Sequence, residues 1–285
     1  MGFASLSYRI FGDLCRSMRP YFTDVKDDMK RASLNYTFEE YFSMTFFVVT
    51  IAFFVETVFL SFIFGFFVEP VLSILMALTL SIGISTVLFF IFYTYPATVA
   101  RNRASNIEKA MPFALSYLAT LSSSKVQPVV LFKALGQFKE YGQLAKESKE
   151  IANNVEIFGL TLSDAIKTQA KVTPSKKFRD ILWGINSIIL SGGDLTSYLS
   201  GKSEEAMNDY RSKIRKFSQE ISLYLEVYLT LIITGTIFFI VLTSIISVVS
   251  SGIETVLTQT FVTFILLPLL SIMFLILVKS RSPLE

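Results

Sequence analysis

Apolar residues fill four long stretches of the chain, at about 43–68, 71–95, 227–249 and 256–278. Each stretch holds 23–26 residues, so that each would form an α-helix of about 35–39 Å at 1.5 Å per residue. Because the hydrocarbon core of a bilayer is about 30 Å thick, every stretch is long enough to span it with some tilt. Four such helices would need a soluble core larger than 285 residues can build around them. The pattern therefore predicts four transmembrane helices.

The 26 Lys and Arg residues all lie outside these stretches. The tips Gly65–Pro70 and Ser250–Thr255 hold none of them, and the polar segment 96–226 holds 18. Because cationic segments are retained on the cytoplasmic side of a membrane, the distribution predicts a multi-pass protein of the cytoplasmic membrane with both termini in the cytoplasm. The predicted parts are a cytoplasmic amphipathic N-terminal segment at 1–42, transmembrane hairpins at 43–95 and 227–278, a cytoplasmic helical bundle at 96–226 and a cytoplasmic tail at 279–285.

Helix-starting and helix-ending residues divide the central segment, which shows little strand-like alternation. A proline suits the first turn of a helix, a glycine its left-handed end and an aspartate its N-cap. These signals predict helices at about 105–123, 128–138, 143–158, 163–170 and 174–191, and a sixth from 195 that continues without a Pro or Gly from 202 to 234. The expected turn residues are Pro128, Gly159, Pro174, Gly192, Gly193 and Asp194. The fold class is then an all-α membrane protein with about four transmembrane helices in two hairpins and an antiparallel cytoplasmic bundle.

The segment before the first apolar stretch has apolar residues at three- and four-residue steps, among them Phe11 and Met18, as one face of a helix requires. Pro20 is expected to divide it into two helices. Thr37 and Glu40 have the spacing of a capping box, which predicts that the first transmembrane helix begins here.

Little in the chain favours catalysis. It contains no His, and Cys15 is its sole cysteine. Catalytic triads that use His, zinc sites that use His and metal clusters held by several cysteines are therefore excluded. Gly201-Lys202-Ser203 resembles the end of a phosphate-binding loop, but that motif needs a glycine where Thr196 stands, and a strand before it. We therefore expect no catalytic, cofactor-binding or metal-binding residue, no cofactor and no nucleic-acid partner.

Two polar features of the first two apolar stretches have alternative interpretations. Glu56 lies near the middle of the first stretch, where a charged side chain costs about 3 kcal/mol. It is either a polar clamp between helices, which we favour, or a residue of an ion path. Ala77, Ser81 and Ser85 form a small-residue face that permits close helix approach, to this chain or to a second copy.

Three basic residues, Lys213, Arg215 and Lys216, precede the third apolar stretch. A positive anchor at the headgroup level explains them, and contact with a soluble partner is the alternative. The basic excess of the central segment likewise suits anionic lipid or an acidic protein partner, or reflects topology alone.

The order and spacing of several short motifs resemble the type II secretion system F-domain family, closest to its archaeal branch that serves type IV pili and the archaellum. The resemblance covers roughly 30–250, and the motifs that carry it are Met111–Leu118, Val126-Gln127-Pro128, Phe158-Gly159-Leu160, Thr173-Pro174-Ser175, Ser191–Leu195, Tyr198-Leu199 and Glu226-Val227-Tyr228.

The resemblance implies a non-enzymatic platform protein that couples a hexameric cytoplasmic assembly ATPase to the insertion of pilin subunits into a filament or secretion machine. Many relatives carry two F-domain modules in one chain, and this chain shows one. A second platform copy, identical or a paralogue, is therefore an expected partner beside the lipid membrane. The alternatives from other classes are a small membrane transporter or channel, and a scaffold subunit of a secretion system without a filament.

Overall fold

Helices account for nearly all of the chain in a computed structural model, which describes residues 3–18, 22–249 and 253–280. The twelve α-helices within these ranges are α1 (Phe3–Met18), α2 (Thr23–Arg31), α3 (Phe38–Phe64), α4 (Pro70–Ser122), α5 (Pro128–Gln137), α6 (Gly142–Glu156), α7 (Leu162–Val172), α8 (Lys176–Ser191), α9 (Leu195–Val227), α10 (Gly235–Val249), α11 (Ile253–Phe261) and α12 (Leu267–Ser280). The predicted break at Pro20, the centre of the second tip at 250–252 and the tail from 281 lie outside the described residues. The chain folds as two compact units, Met1–Lys202 and Ser203–Glu285.

Within the described residues, four helical runs are long and apolar enough to cross a membrane, in agreement with the predicted number. They are Phe38–Phe64, Pro70–Ser122, Leu195–Ile246 and Val256–Ile276. The first run begins where the sequence predicted, because Thr37 Oγ1 accepts a hydrogen bond from the Glu40 backbone N–H at 3.3 Å and Glu40 Oε2 accepts one from the Thr37 N–H at 2.8 Å. Two of the four first backbone donors of α3 thus gain a partner.

The second run is one helix of 53 residues, α4. The sequence predicted two helices here, an apolar one at 71–95 and a polar one at 105–123. The structure joins them through Pro96 and Pro112, and both prolines are buried inside α4. A proline inside a helix removes one hydrogen bond and crowds the preceding turn, so packing against neighbouring helices compensates for that cost.

α3 and the apolar half of α4 pack along each other in opposite directions. The Tyr41 hydroxyl donates to the Phe92 carbonyl oxygen at 2.7 Å, and Ser85 Oγ donates to Glu56 Oε2 at 3.5 Å. The small-residue face of α4 is buried between them: Ala77 and Ser81 are both 0% exposed. The alternative that this face contacts a second copy is therefore wrong for these residues, because their own chain already covers them.

The N-terminal helices α1 and α2 pack against the first turns of α3 and against α4. Their shared core consists of Cys15, Val25, Met29, Phe38, Tyr41 and Phe42, with Phe11, Phe22, Phe46 and Tyr93 packed around it. Phe42 is the centre of this cluster, since its ring lies 5.1 Å from Phe22 and 4.6 Å from Phe38. A small aromatic core thus fixes both N-terminal helices to the place where α3 begins.

The helical body consists of α5 to α8 and the polar half of α4, 103–122. α5 and α6 are antiparallel neighbours, because Lys133 Nζ lies 2.9 Å from Glu156 Oε1 while Gly136 approaches Lys149 one to two turns away. α7 and α8 are joined through Ser163, whose hydroxyl donates to Asn186 Oδ1 at 2.7 Å.

The second unit includes a π-helical segment, Tyr228–Thr234, between α9 and α10, and another, Val262–Leu266, between α11 and α12. The helix predicted to run on from 195 therefore continues past 227 with a wider turn. Tyr228 stacks on Phe274 at 4.5 Å and its hydroxyl lies 3.0 Å from Ser271 Oγ. These two contacts join the π-helical segment Tyr228–Thr234 to α12.

Candidate functional site

The turn residues singled out in the sequence lie at or beside helix ends in the structure. Pro128 is the first residue of α5. Gly159 lies between α6 and α7 with φ +67°, and Gly192 ends α8 with φ +69°, a left-handed conformation that glycine adopts without steric cost. Gly193, the next residue, does not have a positive φ, so its backbone conformation does not require glycine. Asp194 Oδ1 accepts a hydrogen bond from the Thr196 N–H at 3.0 Å.

The start of α8 differs from the prediction by two residues. The sequence placed the cap at Thr173 and a first-turn proline at Pro174. In the structure Ser175 is the N-cap, with its hydroxyl accepting from the Phe178 N–H at 3.2 Å, and the helix begins at Lys176. Pro174 lies before the cap, and Thr173 is a fully buried residue at the end of α7. The prediction of a cap at Thr173 is therefore wrong by two residues, because the side chain of Ser175 makes the capping hydrogen bond.

Arg103 is the residue through which α4 is tied to the rest of the first unit. Its guanidinium donates to the Arg31 carbonyl oxygen at 2.7 Å and to Ser33 Oγ beyond the end of α2. On the other side it donates to Gln143 Oε1 at 3.2 Å and lies 3.5 Å from Glu147 Oε1 of α6. The side chain is only 13% exposed. One buried cation therefore bridges three helices at the level where the apolar half of α4 gives way to the body.

Glu147, the carboxylate partner of Arg103, is 1% exposed. Burial raises the pKa of Glu147 above its ordinary value of 4.5, and nearby Glu150 adds to the rise. The hydroxyl of Thr173, the amide of Gln169 and the charge of Arg103 each act in the opposite direction and lower the pKa. Burial outweighs them, because removing a carboxylate from water disfavours its charged form. Glu147 thus joins α6 to α4 through Arg103.

This raised pKa gives a testable pH dependence. The folded protein holds the Glu147 proton to higher pH than the unfolded chain, so the contribution of Glu147 to the free energy of unfolding falls as pH rises from about 4.5 through the raised folded pKa. In Glu147→Gln that contribution is constant. The melting temperature of the wild type, compared with that of Glu147→Gln in the same detergent from pH 4.5 upwards, is expected to decline relative to the variant and to level off once the pH exceeds the folded pKa of Glu147. Parallel curves would contradict the assignment.

Two further side chains of α4 hold the starts of helices in the body. Asn106 Oδ1 accepts a hydrogen bond from the Gln143 backbone N–H at 2.9 Å, which caps α6 from outside its own sequence. Glu108 Oε1 accepts one from Ser175 Oγ, the N-cap of α8, at 3.1 Å. Arg103, Asn106 and Glu108 thus make polar contacts with other helices from one segment of α4. We name these three residues the α4 junction.

The sequence did not single out the α4 junction. Arg103 and Glu147 stand 44 positions apart, and neither belongs to a motif. The signal that could have found them is weak: an arginine that follows an apolar stretch at the correct distance to enter the protein interior, and a glutamate on the apolar side of a predicted helix.

Three turns lie at the end of the body opposite the α4 junction, which we call the far end: the α4–α5, α6–α7 and α8–α9 turns. The Thr196 hydroxyl donates to the Ser122 carbonyl oxygen at 3.1 Å, which brings the α8–α9 turn beside the end of α4. The α6–α7 turn lies at the same end, because Glu156 pairs with Lys133 near the start of α5. Its apolar side chains are uncovered: Ile157 is 69% exposed and Phe158 72%. Leu190 of α8 is 65% exposed.

The other residues predicted from the sequence are Glu56 and three basic residues of α9. Glu56 is half-buried beside Ser85, as a clamp between helices requires. Lys213, Arg215 and Lys216 are exposed on α9, in the second unit. Among the residues that the structure describes, no three His, Cys, Asp or Glu side chains are grouped to hold a metal ion.

The comparisons with known proteins agree with the residues that suggested the family. The family model for the type II secretion system, protein F, matches residues 114–243. An uncharacterised protein of Methanocaldococcus jannaschii is 24% identical over 197 residues, 66% of this chain and 33% of its own length. Flagella accessory protein J of the same organism and that of Methanococcus voltae are each 26% identical over 147 residues, 51% of this chain and 26% of theirs. No solved structure gives a significant match.

The resemblance to the F-domain family is thus confirmed over 114–243, while its earlier part, from 30, lies outside the matched range. The chain spans a third or less of the length of these curated relatives. With four apolar helices and this domain, it is a multi-pass membrane protein. Members of the matched family are generally non-enzymatic and work with assembly ATPases and pilins in filament machines.

Proposed function

Residues 114–243 of this chain form a type II secretion system protein F domain, and we propose that the protein is the membrane platform of an archaeal pilus, archaellum-like or secretion machine. In this role it couples a hexameric cytoplasmic assembly ATPase to the insertion of pilin subunits at the base of a filament. The proposal rests on the matched domain, on the two archaeal flagella accessory relatives and on the way in which α4 connects the apolar helices to the body.

The proposed topology places the helical body in the cytoplasm. In this topology the four apolar helices would form two hairpins, with the Lys and Arg residues, which all lie outside the apolar stretches, on the cytoplasmic side. Both termini are then cytoplasmic, as positive charge retained on the inner side requires. Contacts of α3 with α4, from Tyr41–Phe92 to Glu56–Ser85, support the first hairpin.

The single observation that carries the mechanical part of the proposal is the continuity of α4. Its apolar half runs beside α3, and its polar half is part of the body without an intervening loop. Arg103 and Glu147 join it to α6 at the transition. A force applied to the body would therefore reach the membrane helices through backbone hydrogen bonds and a buried ion pair rather than through a flexible linker.

The rival function of a transporter or channel gains no support from Glu56. Its carboxylate lies 3.5 Å from the Ser85 hydroxyl, which supports the clamp between α3 and α4. Such a contact lowers the cost of a polar group in lipid by giving it a partner. The scaffold without a filament is the remaining alternative, and the experiment below separates it.

The proposed contact with the ATPase lies at the far end of the body. This end points away from the apolar half of α4, and the polar half of α4 from Arg103 to Ser122 is about 30 Å long at 1.5 Å per residue. Three apolar side chains are exposed together at this end: Ile157, Phe158 and Leu190. Aromatic side chains often dominate the energy of protein interfaces. Lipid is too distant to cover them in this topology.

Phe158→Ser is therefore expected to reduce the amount of ATPase that co-purifies with the full-length protein by about tenfold or more, the effect of losing an interface anchor of roughly 2 kcal/mol. The measurement is the ATPase-to-platform ratio after affinity purification in mild detergent. Phe158 is 72% exposed, so its melting temperature should stay close to that of the wild type.

Phe113→Ser is the matched control. Phe113 is an exposed phenylalanine of the same body, 45% exposed on α4, and it does not lie at the far end. Its variant should keep the ATPase. Equal loss in both variants, or none in Phe158→Ser, would place the contact elsewhere while leaving the platform role intact.

The platform role itself is tested by affinity purification of the tagged full-length chain from native membranes, followed by mass spectrometry. An assembly ATPase and pilin-like proteins are expected among the partners, together with a second platform copy or paralogue. Deletion of the gene should abolish the filament. If the ATPase is recovered but no filament depends on the gene, the scaffold function replaces the proposal, and if neither is found the platform role is wrong.

A further inference from the structure

Helix α1 packs lengthwise against α3. Three residues of α1 at four-residue steps make this face: Ser7 and Cys15 are 0% exposed, and Phe11 between them stacks on Phe46 with ring centroids 6.3 Å apart. The Cys15 thiol lies beside the Ser43 hydroxyl. Residues four apart lie on one side of a helix, so the contact covers at least two turns of α1.

The two helices run in opposite directions, and this sets how far α1 reaches. Cys15 of α1 lies beside Ser43 of α3. Phe11, one turn earlier in α1, lies beside Phe46, about one turn later in α3. Ser43 is the first residue of the predicted apolar stretch. The residues of α1 that precede Phe11 therefore lie beside apolar α3, and Phe3 is about 12 Å further along at 1.5 Å per residue.

The outer side of α1 carries exposed apolar residues where the helix accompanies α3. Leu6 is 47% exposed and Ile10, one turn later, is 59% exposed. Neighbouring turns of α3 expose Ile51 at 46% and Phe54 at 62%. Since α3 is one of the helices able to cross a membrane, its uncovered apolar side chains face lipid. The exposed apolar side chains Leu6 and Ile10 of α1 add to that surface.

The charged residues of α1 are compatible with a position at the edge of the bilayer. Arg9, Asp13 and Arg16 are exposed, and Arg16 donates a hydrogen bond to the Tyr8 hydroxyl at 3.4 Å. Arginine extends its guanidinium several ångströms toward the headgroups while its stem stays in an apolar region. Anionic lipid phosphates are a suitable partner for such a group.

We propose that α1 is embedded in the cytoplasmic leaflet beside α3, with Leu6 and Ile10 against the lipid acyl chains and Arg9 and Arg16 directed to the phosphates. The occupant of this surface is the bilayer, because the exposed side of α1 continues the lipid-facing side of α3. This revises the expectation that 1–42 is wholly cytoplasmic. It depends on α3 crossing the membrane and not on the platform role.

Depth-dependent fluorescence quenching tests the proposal on the full-length protein. Cys15 is the only cysteine, so Cys15→Ala provides a background for Leu6→Cys and, separately, Ile10→Cys, each labelled with bimane. The labelled proteins are placed in nanodiscs of phosphatidylcholine and phosphatidylglycerol, with and without doxyl-labelled acyl chains. Phe54→Cys, on exposed α3, is the lipid control, and Phe158→Cys, at the far end of the body, is the water control.

Quenching by doxyl lipid at Leu6 and Ile10 should be at least threefold above that at Phe158 and within twofold of that at Phe54. Quenching no greater than at Phe158 overturns the proposal, whether protein or water then covers α1. The two positions are read independently, so a folding defect in one variant leaves the other decisive. Accessibility of the same labels to aqueous iodide should show the opposite order.

Discussion

Arg103→Leu is expected to destabilise the protein by about 3–5 kcal/mol, because it removes the cation from a largely buried pair and leaves the Glu147 carboxyl group without its charged partner. The variant also leaves the Arg31 carbonyl oxygen without its guanidinium donor. The expected fall in melting temperature is at least about 6 °C, from a scale of roughly 2–4 °C per kcal/mol. Thermal unfolding followed by helical circular dichroism in detergent measures it.

Two comparisons separate the buried pair from a general effect of losing charge. Lys133→Leu breaks an ion pair with Glu156 whose side chains are 50% and 42% exposed, and exposed pairs contribute at most about 1 kcal/mol. The double variant Arg103→Leu, Glu147→Leu removes both charges, so it should recover much of the loss. A single variant as stable as the wild type, or a double variant less stable than Arg103→Leu, would show that Arg103 does not stabilise the junction as described.

The sequence was sufficient wherever a structure is decided within a few residues or by a long uniform pattern. The four apolar helices follow from the lengths of their stretches. The start of α3 follows from the spacing of Thr37 and Glu40, whose two reciprocal hydrogen bonds are local. Most helix ends of the body agree within a few residues for the same reason, because prolines and glycines act on their immediate neighbours.

Contacts between distant positions were not predictable from the same information. Pro96 and Pro112 favour interruptions, and only packing against other helices shows that α4 continues through both. The sequence identified the small face at Ala77 and Ser81 but could not tell which helix covers it. The Arg103–Glu147 pair has no local pattern at all, since each residue reads as an ordinary surface charge until the fold brings α4 and α6 together.

Gly184→Ala is the substitution that should most directly disturb the contact between α8 and α9. A Cβ built on Gly184 would overlap the hydroxyl and ring of Tyr198. The ring must then turn away from α8 and give up its contact with the Ile181 carbonyl oxygen, which the hydroxyl approaches at 3.5 Å. Overpacking of this kind typically costs about 1–3 kcal/mol, offset in part by the roughly 0.5–1 kcal/mol that alanine gains over glycine inside a helix, and the melting temperature of the full-length protein should fall by the difference.

Gly201→Ala is a control in the same pair of helices, and it is expected to raise the stability of the protein instead of lowering it. Gly201 lies inside α9, and a Cβ there meets no atom within 4 Å, so replacing a helical glycine with alanine should stabilise the protein by roughly 0.5–1 kcal/mol. In a Tyr198→Ala background the space beside Gly184 is free, and Gly184→Ala should lose most of its cost. A coupling energy near zero between positions 184 and 198 would mean that the close approach of these two residues does not hold α8 against α9.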